Sequence, residues 1–325
     1  MLLPRRVKRC RLRPHAAGAG SIAHMRILVR SFFLAALGWL AACAGVGAAS
    51  PGPAPEASST VVSATLNIGG TNYAVDWFLP GGPAAALVTV QHGFSRQCTN
   101  VRGTGLRLAD RGLMGLCVNA SMAGGNPALA EALAVTLLSG ITAPGGRVLP
   151  DRIVVGGHSA GGHFASRLGW KLDTLAPNRL AGAVLFDPVA ADASFGSNLS
   201  AVSASGTRAV LAVTANPGGC NANNNAYPAL RQVRQDAQAA GRDGFVGLQL
   251  TDRSTHVDVE GRDTNTLGVV ACGQGRPRSA NTDALRTLAG QWALDAANGT
   301  HEPAYYPGGS YVEGLIGADD ARIID

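Results

Sequence analysis

Apolar stretches of strand length alternate with amphipathic stretches of helical length along most of the chain. Residues 84–90 are apolar except at Thr89, a pattern typical of a strand that is buried on both faces. The segment 69–72, Gly-Gly-Thr-Asn, predicts the turn of an opening hairpin. The predicted strands are 65–68, 73–78, 84–90, 113–118, 152–155, 181–186, 209–213 and 244–250, and the predicted helices are 101–111, 127–139, 160–168, 229–240 and 282–297. This alternation indicates an α/β domain whose central sheet is mostly parallel and carries helices on both faces.

A segment with the features of an export signal precedes this domain. From Met25 the chain is first basic and then largely apolar up to Ala42, which is too short to span a bilayer and typical of a signal peptide. We therefore interpret residues 25–48 as a signal peptide and residues 1–24 as an extension from a mis-assigned start. A twin-arginine signal at Arg5-Arg6 is the alternative. Residues 49–60 form a Pro/Ser/Ala linker, and the domain covers 61–325.

The cleavage site of this signal has two interpretations. Leu40-Ala41-Ala42-Cys43 fits the lipobox of bacterial lipoproteins, in which Cys43 would carry a lipid anchor. The small residues of Val46-Gly47-Ala48 suit an ordinary signal peptidase equally well. Both interpretations predict an exported protein, which would be periplasmic, extracellular or lipid-anchored. Membrane contact is expected only under the lipoprotein interpretation, through the anchor on Cys43.

The charge of the chain is concentrated in this leader. The net charge of the whole chain is +6. The part that follows the leader holds 19 basic and 21 acidic residues, because eight of the 27 basic residues precede Cys43: Arg5, Arg6, Lys8, Arg9, Arg11, Arg13, Arg26 and Arg30. A nearly neutral domain has no electrostatic basis for binding nucleic acid. Its length suits one domain, and we expect a monomer.

A candidate nucleophile lies between a predicted strand and a predicted helix. The apolar end of strand 152–155 leads into Gly156-Gly157-His158-Ser159-Ala160-Gly161-Gly162. Ser159 is thus the centre of a Gly-x-Ser-x-Gly pattern in the strand-turn-helix context that a nucleophile elbow requires. The turn holds the serine in strained backbone angles, and Gly157 and Gly161 leave room for the tight crossing. We predict that Ser159 is the nucleophile.

A base and an acid follow Ser159 in the order that this pattern requires. His256 is the only histidine in the polar loop after the last predicted strand, and an imidazole can remove the proton from a serine hydroxyl. The segment after strand 209–213 contains no carboxylate, whereas strand 181–186 ends on Asp187-Pro188. We therefore predict a Ser159–Asp187–His256 triad. Asp258 and Glu260 are rivals for the acid, although they lie only two and four residues from His256.

Three features together resemble the α/β-hydrolase superfamily over almost all of residues 61–297. They are the elbow 157–162, the segment 184–189 (Val-Leu-Phe-Asp-Pro-Val) and the late His256. The chain looks most like the branch that holds chlorophyllases and bacterial polyester- and lipid-cleaving esterases, in which the acid follows the strand after the elbow helix. It departs from the plant pattern because Ala160, rather than arginine, follows the serine. The resemblance implies the α/β-hydrolase fold and a cofactor-free serine esterase that acts on small-molecule or polymeric esters.

The same resemblance places the oxyanion hole. Such a hole needs two backbone N–H donors, and Ala160, which follows the nucleophile, supplies one of them. His92-Gly93 resembles the His-Gly pair that ends the corresponding strand in lipases and esterases, so Phe94 is the predicted second donor. His92 itself is expected to be structural. Two alternatives to an esterase stay open: an acyltransferase or amidase that uses the same triad, and a non-catalytic surface lipoprotein that serves as a binding module.

Four cysteines remain in the domain: Cys98, Cys117, Cys220 and Cys272. An even number of cysteines in an exported protein favours two disulfides, and three pairings are available. We favour Cys98–Cys117, which would brace the loop with Phe94, and Cys220–Cys272, which would hold the loop with His256. No Cys-x-x-Cys or histidine spacing supports a metal site, and none is predicted.

Overall fold

The computed structural model describes residues 58–325 of the chain. The predicted start extension (1–24), the signal peptide (25–48), the lipid attachment site at Cys43 and residues 49–57 of the predicted linker lie outside the described residues. The first strand begins at Thr60, the last residue of that predicted linker. None of the helices within the described part is long and apolar enough to cross a membrane.

The core of the domain is a nine-stranded sheet in the order β1-β2-β4-β3-β7-β8-β9-β10-β11. Strands β4, β3, β7, β8, β9 and β10 run parallel, and β1, β2 and β11 pair with their neighbours in antiparallel fashion. A separate pair, β5 and β6, lies outside this sheet. The strands are β1 Thr60–Ile68, β2 Thr71–Leu79, β3 Leu87–Thr89, β4 Met114–Val118, β5 Thr142–Ala143, β6 Arg147–Val148, β7 Ile153–Ser159, β8 Leu180–Pro188, β9 Ala209–Thr214, β10 Gly247–Leu250 and β11 Ala321–Ile323.

Helices cover both faces of this sheet. They are α1 Arg102–Ala109, α2 Pro127–Leu138, α3 Ala160–Leu175, α4 Ser194–Ser203, α5 Tyr227–Ala239, α6 Thr266–Cys272, α7 Ser279–Asn298 and α8 Ser310–Gly317. One apolar core contains buried residues of α2, α3, α4 and α5, and the other contains buried residues of α1, α7 and α8. Val154 of β7 lies in the second core and its neighbours Ile153 and Val155 lie in the first, because successive side chains of a strand point to opposite faces. The predicted fold class is therefore confirmed.

The structure corrects several predicted boundaries. The opening strands are longer than predicted and the turn is shorter, since only Gly69 and Gly70 separate them. Both glycines have positive φ, 58° and 85°, as a two-residue hairpin turn requires. Strand β3 is shorter than predicted, and α3 continues to Leu175. Helices α4, α6 and α8 and strands β5, β6 and β11 were not predicted, because short helices and strands seldom show a clear hydrophobic period.

The topology brings several strand ends to one place. The carboxyl ends of parallel strands meet at one edge of a sheet, where open α/β proteins bind their ligands. Ser159 and Asp187 lie at the carboxyl ends of the neighbouring strands β7 and β8, and His256 follows the carboxyl end of β10, which β9 separates from β8. This strand order, with antiparallel β2 and the elbow after β7, is an α/β-hydrolase fold.

Candidate active site

Ser159 stands on a strained turn between β7 and α3. Its backbone angles, φ 57° and ψ −126°, lie in a region that non-glycine residues seldom occupy. A Cβ atom at Gly157 would overlap the carbonyl oxygen of Gly161, and one at Gly161 would overlap the carbonyl oxygens of Gln91 and His92. The two glycines therefore allow helix α3 to start directly against both β7 and the loop after β3.

His256 and Asp187 form a buried pair beside this turn. His256 Nδ1 donates to Asp187 Oδ2 over 2.6 Å, and the side chains are each 5% exposed. Asp187 has a φ of 39°, an uncommon value for a residue other than glycine. Because Nδ1 carries the proton toward Asp187, Nε2 of a neutral ring is left with a free lone pair. A base in this tautomer is ready to accept a proton from a serine.

Asn221 is a residue of this site that the sequence did not reveal. It is fully buried, and its Nδ2 donates to Asp187 Oδ1 and Oδ2 over 3.3 and 3.1 Å. The backbone N–H of Ala215 donates to Asp187 Oδ1 over 3.0 Å. The loop after β9, which contains no carboxylate, thus supplies the donors that hold the carboxylate of the previous strand. Asparagine in a polar loop is typical of turns, so no sequence signal distinguished Asn221.

Neither rival carboxylate forms a hydrogen bond with the His256 ring. Asp258 Oδ1 accepts a hydrogen bond from the Thr255 hydroxyl over 2.9 Å. Its Oδ2 accepts from the Thr255 N–H and from the Ser254 hydroxyl, each also over 2.9 Å. Burial raises the pKa of Asp258 above its ordinary value. Glu260 is fully buried and forms a bidentate pair with Arg96. Both carboxylates are therefore engaged in holding the loop that carries His256.

Ser159 and His256 line the same cavity of about 340 Å³. Ser159 is 8% exposed, so its hydroxyl lies just below the surface. Within residues 58–325, no hydrogen bond joins this hydroxyl to the His256 ring. Catalytic hydrogen bonds are often long in proteins without substrate and shorten when the substrate binds. The structure thus brings together the three predicted triad residues with one of the two triad hydrogen bonds formed.

The two predicted oxyanion donors belong to residues close to Ser159. Ala160 is the first residue of α3, and the first N–H groups of a helix have no partner within the helix. Phe94 lines the cavity together with Ser159, and its N–H has no hydrogen-bond partner in the described part of the chain. A Cβ atom at Gly93 would lie 2.8 Å from Ser159 Cβ, which shows how closely the loop before Phe94 approaches the serine.

His158 connects the elbow to the loop that carries the base. Its Nε2 donates to the backbone carbonyl oxygen of His256 over 2.7 Å, and the two rings lie 4.5 Å apart. Burial lowers the pKa of His158 well below its ordinary value, and the charge of a protonated His256 would lower it further. The ring is therefore neutral. Nδ1 of His158 has no partner among the described residues, and it lies 4.0 Å from Glu260 Oε1.

The structure contains both of the favoured disulfides. Cys98 pairs with Cys117 and Cys220 pairs with Cys272. The first joins the loop after β3 to strand β4. The second joins the loop that carries Asn221 to the end of α6.

Two glutamines that were not predicted also position the site. The Gln91 side chain exchanges two hydrogen bonds with the backbone of Val118, of 2.8 and 3.1 Å, and so fixes the start of the loop that leads to Phe94. Gln274 Oε1 accepts from the N–H of His256 over 2.9 Å, and its Nε2 donates to the carbonyl oxygen of Asn216 over 3.1 Å. Each glutamine satisfies backbone groups of a catalytic loop that lacks regular structure.

No protein-family model and no curated protein matches the chain. Solved structures match it at low identity. A dienelactone hydrolase from Anabaena variabilis ATCC 29413 is 14% identical, with 73% of this chain and 98% of that chain covered and a TM-score of 0.48. A thermostable esterase from Pseudomonas putida ECU1011 is 13% identical, with 77% and 86% covered and a TM-score of 0.49.

A third match, epoxide hydrolase VrEH1 from Vigna radiata, is 18% identical with a TM-score of 0.28. The matched region is 39% of this chain, and it spans only 40% of the length of that protein. Such distant likenesses concern the fold alone. The assignment of the fold rests on the strand order and on the elbow at Ser159.

Proposed function

We propose that the protein is a serine hydrolase that cleaves carboxylic esters through an acyl-enzyme on Ser159. The observation that carries this proposal is the buried pair of His256 and Asp187, in which His256 lines the same cavity as Ser159. A strained serine, a histidine of defined tautomer and a buried carboxylate are the three parts of a nucleophilic triad.

Each part has a definite role in this reaction. Ser159 Oγ attacks the acyl carbon while His256 Nε2 takes its proton. Asp187 orients the ring and stabilises the imidazolium that forms. The N–H groups of Phe94 and Ala160 donate to the oxyanion. His256 then protonates the leaving alcohol, and a water molecule, activated by the same ring, releases the acid. The residues named here need no cofactor, and we propose a monomeric enzyme.

Covalent labelling of the whole protein with a fluorophosphonate tests this proposal, because the probe reacts with activated serines. We expect wild-type protein to bind one probe molecule and Ser159→Ala to bind none, with a parallel loss of p-nitrophenyl acetate hydrolysis. Ser166→Ala is the matched control. Ser166 is fully buried on the same helix and donates to the carbonyl oxygen of His163, so this variant should label as wild type does. Absence of labelling in the wild type, or equal labelling in Ser159→Ala, contradicts the proposal.

We further propose that the enzyme works outside the cytoplasm. Its two disulfides support this location, since such bonds persist in oxidising compartments. The anchor at Cys43 is part of the same proposal. Mass spectrometry of the exported protein tests it: the mature chain should lack residues 1–42, and lipid should be present on Cys43 if that residue is the anchor. A mature chain that retains residues 1–42 contradicts it.

A further inference from the structure

Helix α6 forms one wall of the cavity at Ser159. Leu267, Gly268, Ala271 and Cys272 of this helix line the cavity. Residues three and four apart on a helix lie on the same face, so Leu267, Val270 and Ala271 share one face. That face therefore begins at the cavity and continues outward to Val270.

The cavity offers mainly apolar surface around the serine. Phe94, Val257, Leu267 and Ala271 line it, and Phe94 lies on the loop that supplies an oxyanion donor. Two charged residues, Arg96 and Glu260, also reach it, but they are paired with each other, with Arg96 Nε 2.6 Å from Glu260 Oε1. An acyl group that carried its own charge would therefore find no free partner among the lining residues.

Large apolar side chains at and next to this cavity are unusually exposed to solvent. Phe94 is 63% exposed, Leu267 62% and Val270 71%. The described part of the chain has only three other large apolar side chains with high exposure, Val135, Val148 and Leu175, and none of them lines the cavity. An apolar patch that borders a candidate nucleophile indicates that a ligand covers it.

The chain holds helix α6 at both ends. At its start, Asn265 accepts from the N–H of Gly268 over 3.0 Å and from Arg96 Nη1 over 2.9 Å. At its end, Cys272 forms the disulfide with Cys220. The exposed face of α6 is thus a braced surface next to the serine, as a binding wall requires.

We propose that Phe94 and the face of α6 bind the apolar acyl chain of the substrate, so that the preferred substrates are esters of apolar acids longer than acetate. This inference rests on the proposed function. The carbonyl carbon lies at Ser159, the first part of the chain contacts Phe94 and Leu267, and a longer chain reaches Val270. Binding of the acyl chain to this face of α6 then explains why these apolar side chains are exposed in the free protein.

Hydrolysis of p-nitrophenyl esters from acetate to dodecanoate tests the inference. We expect wild-type kcat/KM to rise with acyl length up to an optimum beyond acetate. Leu267→Asp should lower the octanoate-to-acetate ratio of kcat/KM by about 10-fold to 100-fold, because the acyl chain loses a buried apolar partner. Leu267→Ala should lower it less, and it keeps the test valid if the aspartate variant does not fold. Val270→Asp should affect only the longest chains.

Val135→Asp is the matched control, since Val135 is an exposed valine on helix α2 and lies outside the cavity. It should leave the ratio unchanged. The inference is overturned if wild type prefers acetate, if Leu267→Asp and Leu267→Ala keep the wild-type ratio, or if Val135→Asp shifts the ratio equally. In each of these cases, fluorophosphonate labelling and acetate hydrolysis still occur in the wild type. If both are absent from the wild type, the proposed function fails and this inference fails with it.

Discussion

The two walls of the cavity at Ser159 differ in almost every physical respect. The polar wall is formed by His256, which is held from behind by Asp187 and Asn221. These three residues are buried and joined by hydrogen bonds of 2.6–3.3 Å. The apolar wall presents Phe94 and Leu267, each more than 60% exposed. Polar groups are thus buried in the polar wall, and apolar groups are exposed to water in the apolar wall.

This difference suggests that the polar wall determines the rate of the reaction and the apolar wall determines which ester is preferred. A buried polar group without its partner costs much more than the hydrogen bond itself contributes, so the polar wall tolerates few arrangements. An exposed apolar side chain costs little to change, since its packing in the free protein is slight. We therefore expect substitutions in the polar wall to lower the rate for every ester, and substitutions in the apolar wall to change the preference among esters.

Among substitutions in the two walls, replacement of the acid should have the largest effect. Asp187→Asn should lower kcat by about 10³- to 10⁴-fold for short and long esters alike, because an amide favours the wrong tautomer of His256. Asp295→Asn is the matched control. Asp295 is a buried aspartate with several hydrogen-bond donors, on helix α7, so its loss should lower stability and spare kcat. A rate loss in Asp187→Asn of less than about 10-fold would show that another carboxylate acts as the acid.

Asn221→Ala should have a smaller effect of the same kind. It removes the donor to both oxygens of Asp187, and a hydrogen bond to a charged group contributes about 1.5–3 kcal/mol, which corresponds to about a 10- to 100-fold loss of kcat. Because Asn221 acts through Asp187, we expect KM for p-nitrophenyl acetate to stay unchanged and the fluorophosphonate labelling rate to fall in parallel with kcat.

Asn198→Ala is a suitable control for that measurement. Asn198 is equally buried but lies on helix α4, and its Nδ2 donates to the Ser166 hydroxyl. Its loss should reduce the free energy of unfolding without a change in labelling rate. If Asn198→Ala and Asn221→Ala reduce the labelling rate equally, Asn221 contributes only general stability.

The sequence predicted the polar wall far better than the apolar wall. Ser159, Asp187 and His256 follow strand ends, and the geometry of a parallel sheet brings strand ends together. Gly157 and Gly161 are recognisable because the tight turn excludes a Cβ atom. Asn221 and Gln274 were missed, since their role depends on where two irregular loops meet in space.

The apolar wall shows why the rest could not be predicted. Helix α6 is only seven residues long, too short for a helical period to be visible, and it lies in a loop region between His256 and α7. Phe94 was predicted as an oxyanion donor from its place after β3, but its high exposure depends on how the loop folds. Catalytic residues can be recognised from sequence motifs, whereas an exposed apolar surface has no motif.

The smallest expected effect concerns pH and tests whether His158, at the junction of the two walls, stays neutral. The groups that face its ring are His256, Glu260, Arg96 and His92. Burial holds the pKa of His158 in the folded protein well below the ordinary value of about 6.5 that applies in the unfolded chain. Between these two pKa values the unfolded chain binds a proton that the folded protein does not, so stability falls as the pH falls below about 6.5.

Urea unfolding at pH 7.5 and pH 5.5 measures this contribution. His158→Gln retains a donor for the His256 carbonyl oxygen but removes the titrating group. Between about pH 6.5 and pH 5.5, the wild type should lose up to about 1.4 kcal/mol per pH unit more than the variant does. His92 and His163 also have lowered pKa values because they are buried, so the variant should keep part of the acid sensitivity. An identical pH dependence in both proteins would mean that His158 binds a proton in the folded state, where Glu260 is the carboxylate placed to receive its Nδ1–H.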